Sequence, residues 1–368
     1  MNDAAPALRE DAAWAIALPF RRRYALCLAV LGTGLACMFV LAVGVGPKFI
    51  PPGKVLEALW NALGFGNLSA ESGLHAYIVA HIRLPRAVMA VLVGGALAVS
   101  GAAMQGLFRN PLADPGLIGV SGGAALAATF AIVLGSSMFG PRFAAFGKFT
   151  LPVAAFGGAL ATSLIVYAIA RRGGRTAMGT LLLAGVAIGA LSGAAIGVLI
   201  YLADDQQLRT IQFWGLGSLG AASWDALALA GPLMVLSLFL IPRWSQKLNS
   251  LLLGEQEAVC LGTDVEGLKT RLMVVVAVAV GASVAMTGGI GFVGLVVPHL
   301  VRLMLGPDHR RLTPCSILLG GMLLLGADVA ARSLHPPAEI PIGILTALLG
   351  APFFLWLLLK RDTGGLYA

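Results

Sequence analysis

Gly289, Gly291 and Gly294 stand in the spacing G-x-G-x-x-G within "TGGIGFVGLVVPHLVRL", Thr287 to Leu303. In a soluble βαβ unit that spacing lets a strand–turn–helix close around a dinucleotide pyrophosphate. Here the preceding "RLMVVVAVAVGASVAM" is longer than a typical strand, and more apolar sequence follows. The glycines are therefore read as a tight turn and a close helix approach rather than a nucleotide site. Asp308 stands where a ribose-binding acid is expected, but Arg310 and Arg311 follow it. No lysine completes a phosphate loop: Lys148 follows Gly147, yet Phe149 takes the hydroxyl position. If ATP drives this chain, a separate subunit binds it.

The other reactive side chains are sparse. The five histidines, His75, His81, His299, His309 and His335, show no H-x-x-x-H pair, so no metal site is assigned. Cys27, Cys37, Cys260 and Cys315 show neither a close-spaced metal pattern nor a disulfide framework. Asp328 and Arg332 are four apart, the spacing of an ion pair that lowers the cost of a charge near lipid. Asp114 and Asp328 show no intramembrane protease pattern, and no Ser/His/Asp set is legible. The chain is not read as an enzyme.

The elements that carry these residues are membrane spans. Of the 368 residues, 58% are hydrophobic and 11% charged, against roughly 25% charged in soluble domains. About ten apolar runs follow, near 24–46, 86–108, 116–136, 150–170, 177–202, 225–242, 271–287, 294–306, 312–332 and 340–359. The first is too long for the apolar core of a cleaved signal peptide. The eighth is too short to cross straight. The whole chain, 1–368, reads as one transmembrane domain with a cytoplasmic N-terminal segment at 1–23. With the N-terminus inside, 17 of the 25 basic residues fall on the cytoplasmic side. Both termini are thus placed in the cytoplasm, and the net charge of +8 needs no nucleic acid to explain it.

Several connections carry further signals. A helix-like piece near Val55 to Leu63 lies in the long outer loop 47–85. Leu208, Ile211 and Trp214 recur at helical spacing in the outer loop 203–224. Residues 243–270 form the one large polar cytoplasmic segment, with a short amphipathic helix ended by Gly262. Gly185, Gly189, Gly193 and Gly197 form a stripe at i,i+4 spacing, open to two readings: close packing or the wall of a conduit. At an offset of 187, Gly94, Ala98, Ser100, Gly101 and Pro111 meet Gly281, Ala285, Thr287, Gly288 and Pro298, a hint of an inverted repeat.

Five stretches, in order, resemble the permease subunits of bacterial ABC importers for cobalamin, ferric siderophores and haem. They are "RLPR" (Arg83 to Arg86), "GAAMQGLFRNPLADPGLIGVSGG" (Gly101 to Gly123), "LLLAGVAIG" (Leu181 to Gly189), "GGIGFVGLVVPHLVR" (Gly288 to Arg302) and "ADVAARS…EIPIGILTALLGAPFFLWLL" (Ala327 to Leu358). The resemblance implies an all-α integral membrane protein of about ten transmembrane helices, the type II ABC importer permease architecture, in the bacterial inner membrane. It implies a second copy of this chain, two ATPase subunits using ATP-Mg on the cytoplasmic side, and a periplasmic substrate-binding protein. No cofactor is held permanently.

By the same resemblance, Arg83, Arg86 and Arg332 dock the binding protein. Leu253, Gly254, Glu255, Ala258, Leu261 and Gly262 couple to the ATPase, and Ala177, Met178 and Gly179 form the cytoplasmic gate. In the cobalamin importer, small hydroxylated residues stand where this chain has Met178 and Gly179. The Met104 to Ala128 stretch looks most like the haem-importing branch, so haem is the expected cargo. Ferric siderophores and cobalamin are the alternatives within the family. A secondary transporter independent of ATP, motivated by Asp328 and the repeat, is the alternative outside it. A non-transporting receptor, motivated by the outer arginines, is another.

Overall fold

The computed structural model describes residues 10–46, 50–51, 53–55, 57, 60, 76–139, 147–335 and 338–361. In lipid each backbone amide must find its partner inside its own segment, and the chain meets that demand with helices. They are α1 (Glu10–Gly44), α2 (Leu84–Leu107), α3 (Val120–Phe139), α4 (Thr150–Ala170) and α5 (Met178–Leu202). Then follow α6 (Asp205–Leu216), α7 (Trp224–Arg243), α8 (Ser245–Leu253), α9 (Glu255–Cys260) and α10 (Val265–Thr287). The last three are α11 (Val293–Leu305), α12 (His309–Ser333) and α13 (Ile342–Arg361). A π-helical stretch, Ile78–Arg83, feeds directly into α2.

The expected ten apolar runs correspond to α1 to α5, α7 and α10 to α13. Seven contain a stretch long and apolar enough to cross a membrane; the apolar parts of α3, α11 and α13 are shorter. With 13 residues, α11 spans roughly 20 Å at 1.5 Å per residue, short of a hydrocarbon core of about 30 Å. One boundary differs. Among the described residues α1 is already helical from Glu10, so the arginines at 21–23 lie within the helix rather than ahead of it. Most of the Val55 to Leu63 piece, together with Arg9, Lys48, His75 and Arg142, lies outside the described residues.

Helix α2 is the axis of the fold, buried along nearly its whole length. It crosses α12 where Gly94 meets Gly320, and α11 where Gly101 meets the Gly294 carbonyl. A Cβ at either glycine would overlap backbone, so only the bare residue admits the approach. Gly281, the offset counterpart of Gly94, faces Phe156 and Ala159 of α4. Counted in order, α2 and α10 are each the second of the first and last five apolar helices, and α4 and α12 each the fourth, so both offset glycines lie between a second and a fourth helix.

The outer loop 203–224 contains α6, closed by a capping box. The Asp204 carboxylate accepts the Gln207 N–H at 2.8 Å, and the Gln207 side-chain oxygen accepts the Asp204 N–H at 3.0 Å. On the opposite side a two-residue hairpin joins β1 (Arg171–Arg172) to β2 (Arg175–Thr176). Gly173 and Gly174 take φ of 58° and 77° at its turn, as a tight hairpin of two left-handed residues requires.

Candidate functional site

Three clusters lie at the places the sequence singled out. The first is at the outer end, where α12, the start of α2 and the end of α1 converge. Asp328 is 0% exposed on α12, and a buried carboxylate demands counter-charge. Arg86 Nε lies 2.8 Å from Asp328 Oδ1, and Arg332 Nε lies 3.0 Å from Asp328 Oδ2. The fork of Arg86 then takes Glu339 at 2.9 and 2.8 Å. Arg86 holds the Glu339 carboxyl below its ordinary value of 4.5, chiefly by these hydrogen bonds.

The remaining guanidinium nitrogens cap α1. Arg83 donates to the carbonyls of Val43 and Gly44 at 2.9 and 2.7 Å. Arg332 donates to those of Val45 and Ala42 at 2.9 Å each. A helix's last carbonyls have no partner within the helix and form the negative end of its dipole, so cations stabilise them. These three arginines lie at the outer end but present little surface. Arg83, Arg86 and Arg332 are 5%, 8% and 5% exposed, because a buried aspartate and a bare helix end claim them.

The second cluster is cytoplasmic by the charge rule. Helices α8 and α9 meet at Gly254, whose φ of 137° almost only glycine adopts, and Gly262, at φ 78°, ends the unit. Leu248, Leu251 and Ala258 face inward, while Leu253 and Leu261 are 67% and 63% exposed. Asn249 ties α8 to the start of α12. Its amide donates to Asp308 Oδ1 at 2.6 Å, and its carbonyl oxygen accepts the His309 N–H at 2.8 Å. Lys269 of α10 ties α9 to the β-hairpin through Glu255, Glu266 and Thr176. Ala177 is exposed and caps α5, Met178 is half-buried, and Gly179 is exposed with open space beside it.

The third cluster is the glycine stripe of α5 and the joint above it. Gly185 is packed: a Cβ there would overlap the Leu117 carbonyl. Gly189, Gly193 and Gly197 face open space. Leu183, Val186, Leu191, Val198 and Tyr201 are exposed along the same helix. At the joint, the opening glycines serve architecture. Gly217, at the end of α6, presses against the Gly289 carbonyl, and Gly343 of α13 presses against Leu216 and Gly289. The Ser218 N–H donates to Thr287 O at 2.7 Å and the Ile342 N–H to Gly217 O at 3.0 Å. Three separate segments thus meet backbone to backbone. Gly291 has nothing close enough to demand glycine.

A profile of the FecCD transport family matches residues 34–360, nearly the whole of this arrangement. The chain belongs to the FecCD transport family. It is a multi-pass membrane permease and not an enzyme. This FecCD chain is 51% identical over 336 residues to the hemin transport system permease protein HmuU of Yersinia pestis, covering 91% of this chain and 94% of that protein. It is 45% identical over 289 residues to the cobalamin import system permease protein BtuC of Halobacterium salinarum, covering 78% and 75%. A solved metal-chelate type ABC transporter in an inward-facing conformation superposes with a TM-score of 0.74 at 33% identity, covering 90% of this chain and 98% of that one.

In this FecCD permease the sequence-predicted arginines come together at one cluster, and the predicted coupling residues lie on α8, α9 and the turns that bound them. Glu339, Lys269, Glu266 and Asn249 escaped assignment. Glu266 and Lys269 stand at i,i+3, and a lysine entering an apolar run is a legible signal for a buried pair. Nothing local marks Glu339, whose partner is 253 positions away. His81, His299, His309 and His335 lie on separate elements. His309 is buried against Gly106, and His299 makes a T-shaped contact with Phe353.

Proposed function

We propose that this chain is the permease of an ATP-driven importer that moves haem across the inner membrane as a homodimer. The observation that carries the cargo is the 51% identity to a hemin permease across 94% of that protein's length. Two ATPase subunits work from the cytoplasmic side with ATP-Mg, and a periplasmic binding protein delivers haem from outside.

The geometry supports a role for each cluster. The exposed Leu253 and Leu261 on a unit bounded by glycine joints suit a rigid contact with the ATPase, together with Gly254, Glu255, Ala258 and Gly262. Ala177, Met178 and Gly179 lie at the base of α5 and form the cytoplasmic gate. Gly189, Gly193 and Gly197 offer a smooth wall for a flat macrocycle, with Gly185 holding α5 against the loop before α3. Docking centres on Arg83, Arg86 and Arg332. The Glu339 side chain is 39% exposed and marks where an acidic partner reaches Arg86, by displacing that carboxylate.

Asp328 argues against an ion-coupled secondary transporter. Its carboxylate is occupied by two arginines rather than open to a path. The test is reconstitution of the permease, its ATPase and its binding protein in liposomes, with haem, cobalamin and a ferric siderophore offered separately. Haem accumulation that requires ATP is the expected result. ATP-dependent uptake of another cargo but not haem overturns the cargo, and uptake without ATP overturns the mechanism.

A further inference from the structure

Lys269 lies one turn into α10 and is 1% exposed, one of the largest fully buried side chains described. An ammonium removed from water needs a full set of partners. Its Nζ donates to acceptors on three separate elements. They are Glu255 Oε2 at 2.8 Å on α9, Glu266 Oε1 at 2.9 Å on α10, and the Thr176 carbonyl at 3.2 Å on β2. Glu266 completes the ring, its Oε2 accepting the Thr176 N–H at 2.9 Å. Thr176 is thus held at both backbone groups, directly before Ala177, Met178 and Gly179.

We propose that Lys269 is the positioning residue that transmits movement of α9 to the gate segment 177–179. This rests on reading α8 and α9 as the ATPase contact and 177–179 as the gate. Helix α9 lies between glycine joints at 254 and 262, so it can shift as a unit. Its first residue, Glu255, is bonded to Lys269, and Lys269 is bonded to Thr176. The side-chain link from Glu255 to Thr176 therefore runs through one ammonium group, beside the backbone that continues α9 into α10 and the direct Glu266–Thr176 bond. Helix α8 takes a different anchor, through Asn249 to Asp308 and His309 on α12. A push on the cytoplasmic face is split between two routes, and the lysine route is the one that ends at the gate.

The test uses the full complex in liposomes. Cys37 and Cys260, the two exposed cysteines, are changed to Ser, and Ala177→Cys supplies a reporter thiol. The measurement is the rate at which a membrane-impermeant maleimide labels that thiol, with and without ATP and vanadate. In the reporter background, nucleotide changes the rate. Lys269→Met is expected to shrink that response on the order of tenfold, the scale of a typical coupling energy. Lys269→Arg restores part of it.

Glu255→Ala removes one limb and leaves Lys269 bonded to Glu266 and Thr176. Because Glu255 also lies on the proposed ATPase contact, its response is read per copurified ATPase; it is expected to be lost with the unfolding temperature unchanged, so it decides the matter if Lys269→Met fails to assemble. A full nucleotide response per bound ATPase in Glu255→Ala, or in an assembled Lys269→Met, overturns the relay. No response in the reporter background itself overturns the gate reading, and the relay falls with it.

Discussion

Arg86 and Asp328 are 242 positions apart and meet at 2.8 Å inside the protein. That contact fastens the start of α2 to the outer end of α12. Arg332 extends it to α1 by donating to the carbonyls of Ala42 and Val45. One buried carboxylate therefore organises two guanidinium groups, and through them three helices. The residues most suited by charge to meet a partner are already employed in the fold.

Loss of Asp328 should be among the most destabilising single changes in the chain. Asp328→Ala leaves two buried guanidinium groups short of a counter-charge, and breaking a buried pair this way costs ~3–5 kcal/mol. Glu339→Gln should cost far less, because that side chain is 39% exposed and solvent screens it. Thermal unfolding of both variants in detergent micelles compares them. Equal losses would show that burial does not set the value of these contacts.

The Arg86–Glu339 pair also predicts a pH dependence. Its folded carboxyl lies below the ordinary 4.5, so the folded state favours the ionised form. The resulting stabilisation is fully present above 4.5 and is lost as pH falls through the depressed folded value. The unfolding-temperature difference between the unmodified protein and Glu339→Gln should be flat from pH 7 to 5 and shrink below that. A difference that grows on acidification would contradict the assignment.

The glycine stripe divides into two behaviours. Gly185→Ala drives a methyl into the Leu117 carbonyl and should destabilise by roughly 1–3 kcal/mol, as overpacking does. Gly193→Ala meets open space and replaces a poor helix residue, so stability should hold or rise by about 0.5–1 kcal/mol. If α5 borders the path, haem uptake should nevertheless fall in Gly193→Ala. Unfolding temperature and uptake, measured on the same preparations, separate packing from passage. Unimpaired uptake in Gly193→Ala would remove that position from the path.

The helices were legible because lipid allows few alternatives: apolar length gave the spans, and the charge asymmetry gave their direction. The Asp328–Arg332 pair was legible because both residues lie on one helix at i,i+4. The burial of Arg83 and Arg86 was not. It depends on where α1 ends, and on Asp328 and Glu339 brought in from the far end of the chain. The glycine motif was legible as a joint, but its partners were not, since Gly217 and Gly343 are fixed by tertiary packing. Lys269 could have been suspected from Glu266, but its contact with Thr176 crosses 93 positions and leaves no local trace.

The α8–α9 unit should separate fold from association. Leu251 is 2% exposed, and Leu251→Ala should cost about 2–5 kcal/mol, the usual range for a core leucine truncated to alanine. Leu253 and Leu261 are 67% and 63% exposed and lose no internal packing of that size when replaced. The pair Leu253→Asp and Leu261→Asp should leave the unfolding temperature within a few degrees of the unmodified protein. Copurification of the ATPase should fall sharply, because an apolar contact would then bury two carboxylates. Gly254→Ala adds a third arm: it strains the joint between α8 and α9 at φ 137° while leaving both exposed leucines in place. It should weaken ATPase-driven uptake more than ATPase binding. If the double aspartate variant binds the ATPase normally, the contact lies elsewhere on the cytoplasmic face.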